Sequence, residues 1–237
     1  MIHSYIALDL ETTGLNPAED RILEIGAVRV EDGKITGTYD TLIRTGVPIA
    51  AKIQELTGIT EEMAESGRNI REVMEEFIPF CKDLPLLGHN IMFDYSFVKQ
   101  NAVNLGLTFE KQGVDTLKIA RKLLPQEESK SLTALCAYYG INREREHRAS
   151  DDAQAAMELY GILGREFPDC PPEVFEALPL NFKAKRRGPI TPAQKGYLND
   201  LIKYHKIALE ISVDSLTKNE ASRLIDKIIS SYGRIIR

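Results

Sequence analysis

The sequence predicts an α/β protein: a mixed β-sheet flanked by helices, with a small helical module at its C-terminal end. Three observations lead there. Residues 5–42 hold three β-rich runs in succession. Residues 58–167 then alternate helical spacing with short apolar strands. A proline-rich, basic stretch at 168–190, a linker or extended strap, separates this part from two further helical patterns in 191–237. The expected domains are therefore 1–167, a linker at 168–190 and a module at 191–237.

The elements follow in order. SYIALDLE reads as a strand, apolar until two acids break it. RILEIGAVRVEDGKITGTYDTLI supplies two more strands around Glu31–Lys34, because Asp32-Gly33 between β-rich runs marks a hairpin. ITEEMAES and NIREVMEEFIPFCKDL have helical spacing, with Thr60 and Asn69 as starts. PLLGHN is a short buried strand ending in polar residues, and MFDYSFVKQNAVNLG is a helix that closes at Gly106. GVDTLKIARKLLP is a short strand or turn running into a helix. SLTALCAYYG is a helix capped by Ser131 with Gly140 past its end. SDDAQAAMELYGILGREF is a long helix capped near Ser150. Beyond the linker, Thr191 caps a helix with Pro192 at its first position. Thr217 and Glu220 make a Thr-x-x-Glu capping box for the next. No internal repeat or low-complexity tract is visible.

At 237 residues, 43% hydrophobic and 27% charged, the chain has an ordinary globular composition and can bury a full core. It contains no run of about 18 apolar residues, so no membrane span is expected. Its first residues show no secretory signal. Cys81, Cys136 and Cys170 are far apart, form no Cys-x-x-Cys, and read as reduced thiols in a packed interior. A cytoplasmic protein is expected. The net charge of −5 hides a split, with +7 over 183–237 against −12 over 1–182. An acidic unit can hold metal ions, and a basic one can meet a polyanion.

Residues two apart in a strand share a face, so Asp9 and Glu11 stand side by side. Two carboxylates at the end of a buried run are costly unless a cation compensates them. Two further clusters follow: Gly88-His89-Asn90 with Phe93 and Asp94, and His147-Arg148-Ala149-Ser150-Asp151-Asp152. Singly, each has an ordinary explanation. An Asp at a helix start is usually a cap or a charge beside the dipole. A lone histidine is usually a surface residue or a satisfied core residue.

Together and in order, these clusters resemble the DEDDh group of DnaQ-like 3′–5′ exonucleases, which share a ribonuclease-H-like fold. DLETTG is similar to the first family motif, HNIMFD to the second, and HRASDDA to the His-x-Ala-x-x-Asp third. RILEIGAV, LTGIT, VDTLKIARKLLP and SLTALCAYYGI add to a resemblance that spans roughly residues 4–167, and the proofreading exonucleases of DNA polymerase III are of this kind. The resemblance implies two Mg²⁺ or Mn²⁺ ions, about 4 Å apart, flanking the scissile phosphate. Four acids without a thiolate suit such hard cations. By resemblance, Asp9 bridges the ions, Glu11 and Asp152 hold the one bearing the attacking water, Asp94 completes the set, and His147 is the general base. Asp152 rather than Asp151 falls at the motif position. Thr12, Thr13 and Gly14 are expected on the terminal nucleotide. Leu15 and Phe93 flank its base, with core packing the alternative for Phe93. His89 and Asn90 either face the site or, for His89, bond their neighbours.

The expected activity is metal-dependent release of nucleoside monophosphates from the 3′ ends of single-stranded or frayed DNA. RNA 3′ ends are the alternative substrate, and a non-catalytic nucleic-acid-binding scaffold the alternative function. The basic module is expected to contact phosphates through Lys183, Lys185, Arg186, Arg187, Lys195, Lys203 and Lys206, or to dock a DNA polymerase or another protein. Tyr197 and Tyr204 can share a helix face there, with a place in the core as the alternative.

Overall fold

The computed structural model describes residues 1–127, 129–143, 147–209 and 212–235. Two compact units emerge, Met1–Arg44 with Ile49–Ala184, and Thr45–Pro48 with Lys185–Arg237. In the first unit, β1 (Tyr5–Thr12), β2 (Ile22–Glu31) and β3 (Lys34–Leu42) form an antiparallel meander. The β2–β3 turn falls at Asp32-Gly33, both with positive φ, as the Asp-Gly signal requires. Short helices α1 (Ala51–Thr57) and α2 (Glu61–Glu65) precede α3 (Ile70–Cys81). Then come β4 (Leu86–Gly88), α4 (Ile91–Leu105), β5 (Gln112–Asp115), α5 (Thr116–Leu123), α6 (Leu132–Tyr139) and α7 (Ala149–Glu166). A 3₁₀ turn at Pro172–Phe175 leads to β6 (Leu178–Pro179).

Among the described residues six strands form one sheet, in the order β3-β2-β1-β4-β5-β6. β4 runs parallel to β1 and β5, whereas β6 is antiparallel to β5. Strand alternation divides the core between the two faces. Ile6, Leu8 and Leu10 pack with Phe77, Tyr95 and Phe97 from α3 and α4. Tyr5, Ala7, Val28 and Val30 pack with Ala155, Ala156, Leu159 and Leu163 of α7. Among the described residues no helix is long and apolar enough to cross a membrane.

Helix α7 lies unusually close to the sheet. A Cβ on Gly26 would stand 2.1 Å from both the Ala149 carbonyl carbon and the Ser150 amide. The first turn of α7 therefore rests directly on β2, where only glycine leaves room.

Two expectations are corrected. The stretch 168–190 was expected as a linker or extended strap between domains, yet 168–184 belongs to the first unit, as a strap. Phe175 and Leu180 are buried in its two cores and β6 extends the sheet, so apolar residues between the prolines hold this strap down. The long helix was expected to be capped near Ser150. It begins instead at Ala149, with no side-chain cap from its own N-cap residue, Arg148. The cysteines are free; Cys81 and Cys136 are buried, while Cys170 is only partly so.

The second unit is built on α8 (Pro192–His205) and α9 (Lys218–Tyr232). Both open with full capping boxes, Thr191 with Gln194 and Thr217 with Glu220. Their core is aliphatic: Leu198, Leu201, Leu216, Ala221, Ile225 and Ile228.

Gly26→Ala is expected to push α7 off β2 and destabilise the chain by about 3 kcal/mol, at the upper end of overpacking costs. Urea unfolding measures this; an unchanged midpoint would mean that α7 can shift without loss.

Candidate active site

Asp9 and Glu11 continue the face of β1 that carries Tyr5 and Ala7, the side covered by α7. Across the β1–β2 ladder Asp9 lies opposite Gly26, and Glu11 opposite Glu24. The helix turn resting on Gly26 thus delivers Asp152 to the two strand acids. Carboxylate oxygens of Glu11 and Asp152 and a ring nitrogen of His147 lie within 4.8 Å of one another. Asp152 is buried, and its neighbour Asp151 is more accessible and outside this cluster.

Asp94 arrives from the other face. β1 outruns β4, whose last recorded partner on it is Ala7. The Leu10 amide, beyond that point, donates instead to Asp94 Oδ1 at 3.1 Å. The first turn of α4 thus completes the edge of β1 and brings a buried acid to it. The turn before α4 is tied down by Asp115, which caps α5 by accepting from the Leu117 amide at 3.0 Å and also accepts from the Asn90 amide at 2.9 Å.

The acids repel one another. Desolvation, then Asp94, Asp152, Glu11 and Glu24, hold the Asp9 carboxyl well above its ordinary range. Desolvation and the charges of Asp152, Glu24 and Asp94 push Glu11 up to about 8. Desolvation likewise raises Asp94, against hydrogen bonds that lower it. A divalent cation would relieve this repulsion, and four carboxylates without a thiolate fit a hard ion better than a closed zinc site.

Two further charged contacts surround the cluster, and sequence reasoning missed both. Glu24 is 0% exposed. Arg148 Nε donates to both of its carboxylate oxygens at 3.0 Å, and the Ala149 amide donates to Oε2 at 3.0 Å. An acid on β2 therefore caps α7 across 125 positions of sequence. His147, one residue before Arg148, has a φ of 59°, in the left-handed region that few non-glycine residues adopt. The legible signal was an acid inside RILEIGAV, every residue of which from Ile22 to Val28 is buried. The second contact is Arg143, whose Nη1 donates to Asp152 Oδ1 at 2.6 Å and Nη2 to Thr133 Oγ1 at 2.9 Å. No spacing rule links Arg143 to Asp152, because their contact depends on how α6 and α7 meet.

The remaining expected residues fall into four groups. Thr12, Thr13 and Gly14 build the turn after β1: Thr12 Oγ1 donates to the Gly14 carbonyl at 2.7 Å, and Thr13 Oγ1 accepts from the Arg21 amide at 2.9 Å. Leu15 projects from that turn, 83% exposed, whereas Phe93 is half-buried against Phe97 and the core. His89 shows no spare ring nitrogen, since Nδ1 meets Thr116 Oγ1 at 2.9 Å and Nε2 meets the Lys130 carbonyl at 2.7 Å. The geometry matches the bonding alternative for His89, while Asn90 is exposed at the turn. Lys185, Arg186 and Arg187 open the second unit.

Glu24→Ala would leave Arg148 partly buried without its carboxylate and α7 without its cap. A loss of roughly 3–5 kcal/mol in urea unfolding is expected, with a smaller loss for Glu24→Gln, which keeps an acceptor. A loss below about 1 kcal/mol in Glu24→Ala, the range of an exposed pair, would show that α7 is held by packing alone. Glu11 also predicts a pH effect. Its carboxyl keeps a proton in the folded chain that the unfolded chain releases above 4.5. Its contribution to stability is therefore present below pH 4.5 and lost as pH rises to about 8. Asp9 and Asp94 act in the same direction. In chelator, stability should fall over that window, and millimolar Mg²⁺ or Mn²⁺ should restore it at pH 8. A flat profile in chelator would contradict the repulsion.

This geometry can be set beside known proteins. The family model described as "RNase_T: Exonuclease" matches residues 6–160. The chain is 38% identical over 156 residues to the PolC-type DNA polymerase III of Caldanaerobacter subterraneus subsp. tengcongensis, covering 66% of this chain and 11% of that protein. It is 41% identical over 158 residues to the same type of polymerase from Thermotoga maritima, covering 66% and 12%. The chain thus spans about a tenth of the length of these relatives. Among solved structures, the zinc-bound E. coli ExoI–ssDNA complex superposes with a TM-score of 0.63 at 20% identity, over 71% of this chain and 42% of that one. Exonuclease X in complex with 5′ overhanging duplex DNA superposes with a TM-score of 0.53 at 25% identity, over 73% and 96%. With a family match over residues 6–160, and with the three acidic clusters on the DnaQ-like sheet, the chain belongs to the RNase_T exonuclease family.

Proposed function

We propose that this chain is a metal-dependent 3′–5′ exonuclease that releases nucleoside monophosphates from single-stranded or frayed DNA ends. The observation that carries the reading is the convergence of Glu11, His147 and Asp152 within 4.8 Å, beside Asp9 and Asp94, from three separate segments. A binding scaffold has no need of such a mutually repelling set. Asp9, Glu11, Asp94 and Asp152 would hold two Mg²⁺ or Mn²⁺ ions. The chemistry such ions supply is stabilisation of the attacking and leaving oxygens of an in-line displacement. His147 accepts the proton of the attacking water. The exposed Leu15 and the turn Thr12–Gly14 hold the terminal nucleotide. The polymerase relatives and the single-stranded DNA bound by E. coli ExoI favour DNA. The Lys185–Arg187 run adds phosphate contacts outside the site. Such an enzyme works in the cytoplasm.

The test is a time course on matched 5′-labelled single-stranded DNA and RNA oligomers, with Mn²⁺ and with chelator. A ladder shrinking from the 3′ end is expected, faster on DNA, absent in chelator and in Asp9→Ala. His147→Ala should slow it by about 10²–10⁴-fold. Intact oligomers in the presence of metal would sink the proposal, and a faster RNA ladder would reassign the substrate.

A further inference from the structure

The second unit places its aromatic residues outside its core. All six fully packed side chains of that core are aliphatic. Tyr197, Tyr204 and Tyr232 are 38%, 48% and 60% exposed. On α8 the inward positions are Leu198 and Leu201, while Tyr197, Asp200 and Tyr204 follow the outer face at helical spacing. These three residues, with Lys203, Arg234 and Ile235, line a groove of about 710 Å³. At its edge, His205 joins two of the rings, its centroid 4.8 Å from that of Tyr204 and 5.6 Å from that of Tyr232. His205 Nε2 lies 3.1 Å from the Gly233 carbonyl, which fixes this ring against the end of α9. Among the described residues Lys203 and Arg234 have no ion-pair partner, whereas Lys195 of the same helix is paired with Asp214.

We infer that this groove is a second binding site for single-stranded nucleic acid, separate from the catalytic cluster. Unpaired bases stack on exposed tyrosine rings whatever their sequence, and flanking cations track the phosphates. Lys203 and Arg234 stand beside the tyrosines as that mode requires. Residues 185–237 carry eleven Lys and Arg against five Asp and Glu, so the whole unit attracts a polyanion. The lining offers one acid, Asp200, and one aliphatic side chain, Ile235. An amphipathic peptide would need a wider apolar floor than this. Duplex DNA, with its bases already stacked, gains nothing from the tyrosines. The inference rests on the exonuclease reading only for its choice of a single strand as ligand.

The test uses the whole 237-residue chain in chelator, so that no hydrolysis occurs, and 5′-fluorescein dT30 read by anisotropy. Tyr197→Ala with Tyr204→Ala should weaken binding at least tenfold, since each stacked base contributes about 1–3 kcal/mol. Tyr204→Phe keeps a stacking face and should bind like wild type. Lys203→Gln with Arg234→Gln should reduce the slope of log K against log salt by about 1.4. All these variants should melt like wild type and, with Mn²⁺, cleave a trinucleotide at the wild-type rate. Unchanged dT30 binding in both double variants would overturn the inference and leave the groove to a protein partner. Absence of trinucleotide cleavage by wild type would refute the exonuclease reading instead, while the anisotropy result would still decide the groove.

Discussion

The contact on which the rest of the site depends is the one between Glu24, Arg148 and the Ala149 amide. It joins the start of β2 to the first turn of the helix that carries Asp152. A fully buried carboxylate is tolerated there because every demand on it is met by a guanidinium and a helix-terminal N–H. Gly26, two residues on, removes the last side chain between strand and helix. The two residues do different work on one face of β2. Glycine allows close approach, and glutamate fixes where along the strand the helix lands. Glu11, opposite Glu24, and Asp9, opposite Gly26, are then under Asp152 without any further device.

The same arrangement concentrates negative charge. Asp9, Glu11, Asp94, Asp152 and Glu24 share one end of the sheet, and the Glu24 charge itself raises both strand acids. Two cations of the protein offset part of this, Arg148 on Glu24 and Arg143 on Asp152. Asp9 and Glu11 have no ion pair with a cation of the protein among the described residues. Of these acids, Glu24 positions α7, Asp152 keeps Arg143 beside it, and Asp9, Glu11 and Asp94 are left without an ion pair among the described residues. A left-handed His147 and an unpaired strand edge completed by Asp94 belong to the same pattern, in which local strain is held by the surrounding packing.

The second unit uses simpler physics. Its two capping boxes and aliphatic core suffice to fold two helices, so its tyrosines are not needed inside. It leaves three tyrosines exposed, two of them lining a groove with Lys203 and Arg234, which have no ion-pair partner among the described residues.

Much of this was legible in one dimension. Hairpin chemistry at Asp32-Gly33, the caps at Thr60, Asn69, Ser131, Thr191 and Thr217, and the closing glycines at 106 and 140 are local events, and each stands where the spacing predicts. The pairing of Asp9 with Glu11 on one face follows from strand periodicity alone. The order of the three acidic clusters was readable for the same reason, because a motif is a local pattern. What escaped were interactions between segments far apart in the chain. The cap on α7 comes from Glu24, not from Ser150 or any residue beside the helix, so no N-cap rule could find it. The strap at 168–184 looked like a linker because prolines dominate its composition, yet Phe175 and Leu180 bury it. His89 was undecided in sequence because only the fold brings Thr116 and the Lys130 carbonyl to its two nitrogens. Local geometry is set by neighbours in sequence, and the sequence alone determined it. The partner of a buried charge is set by which surfaces pack, and only the tertiary structure decided that.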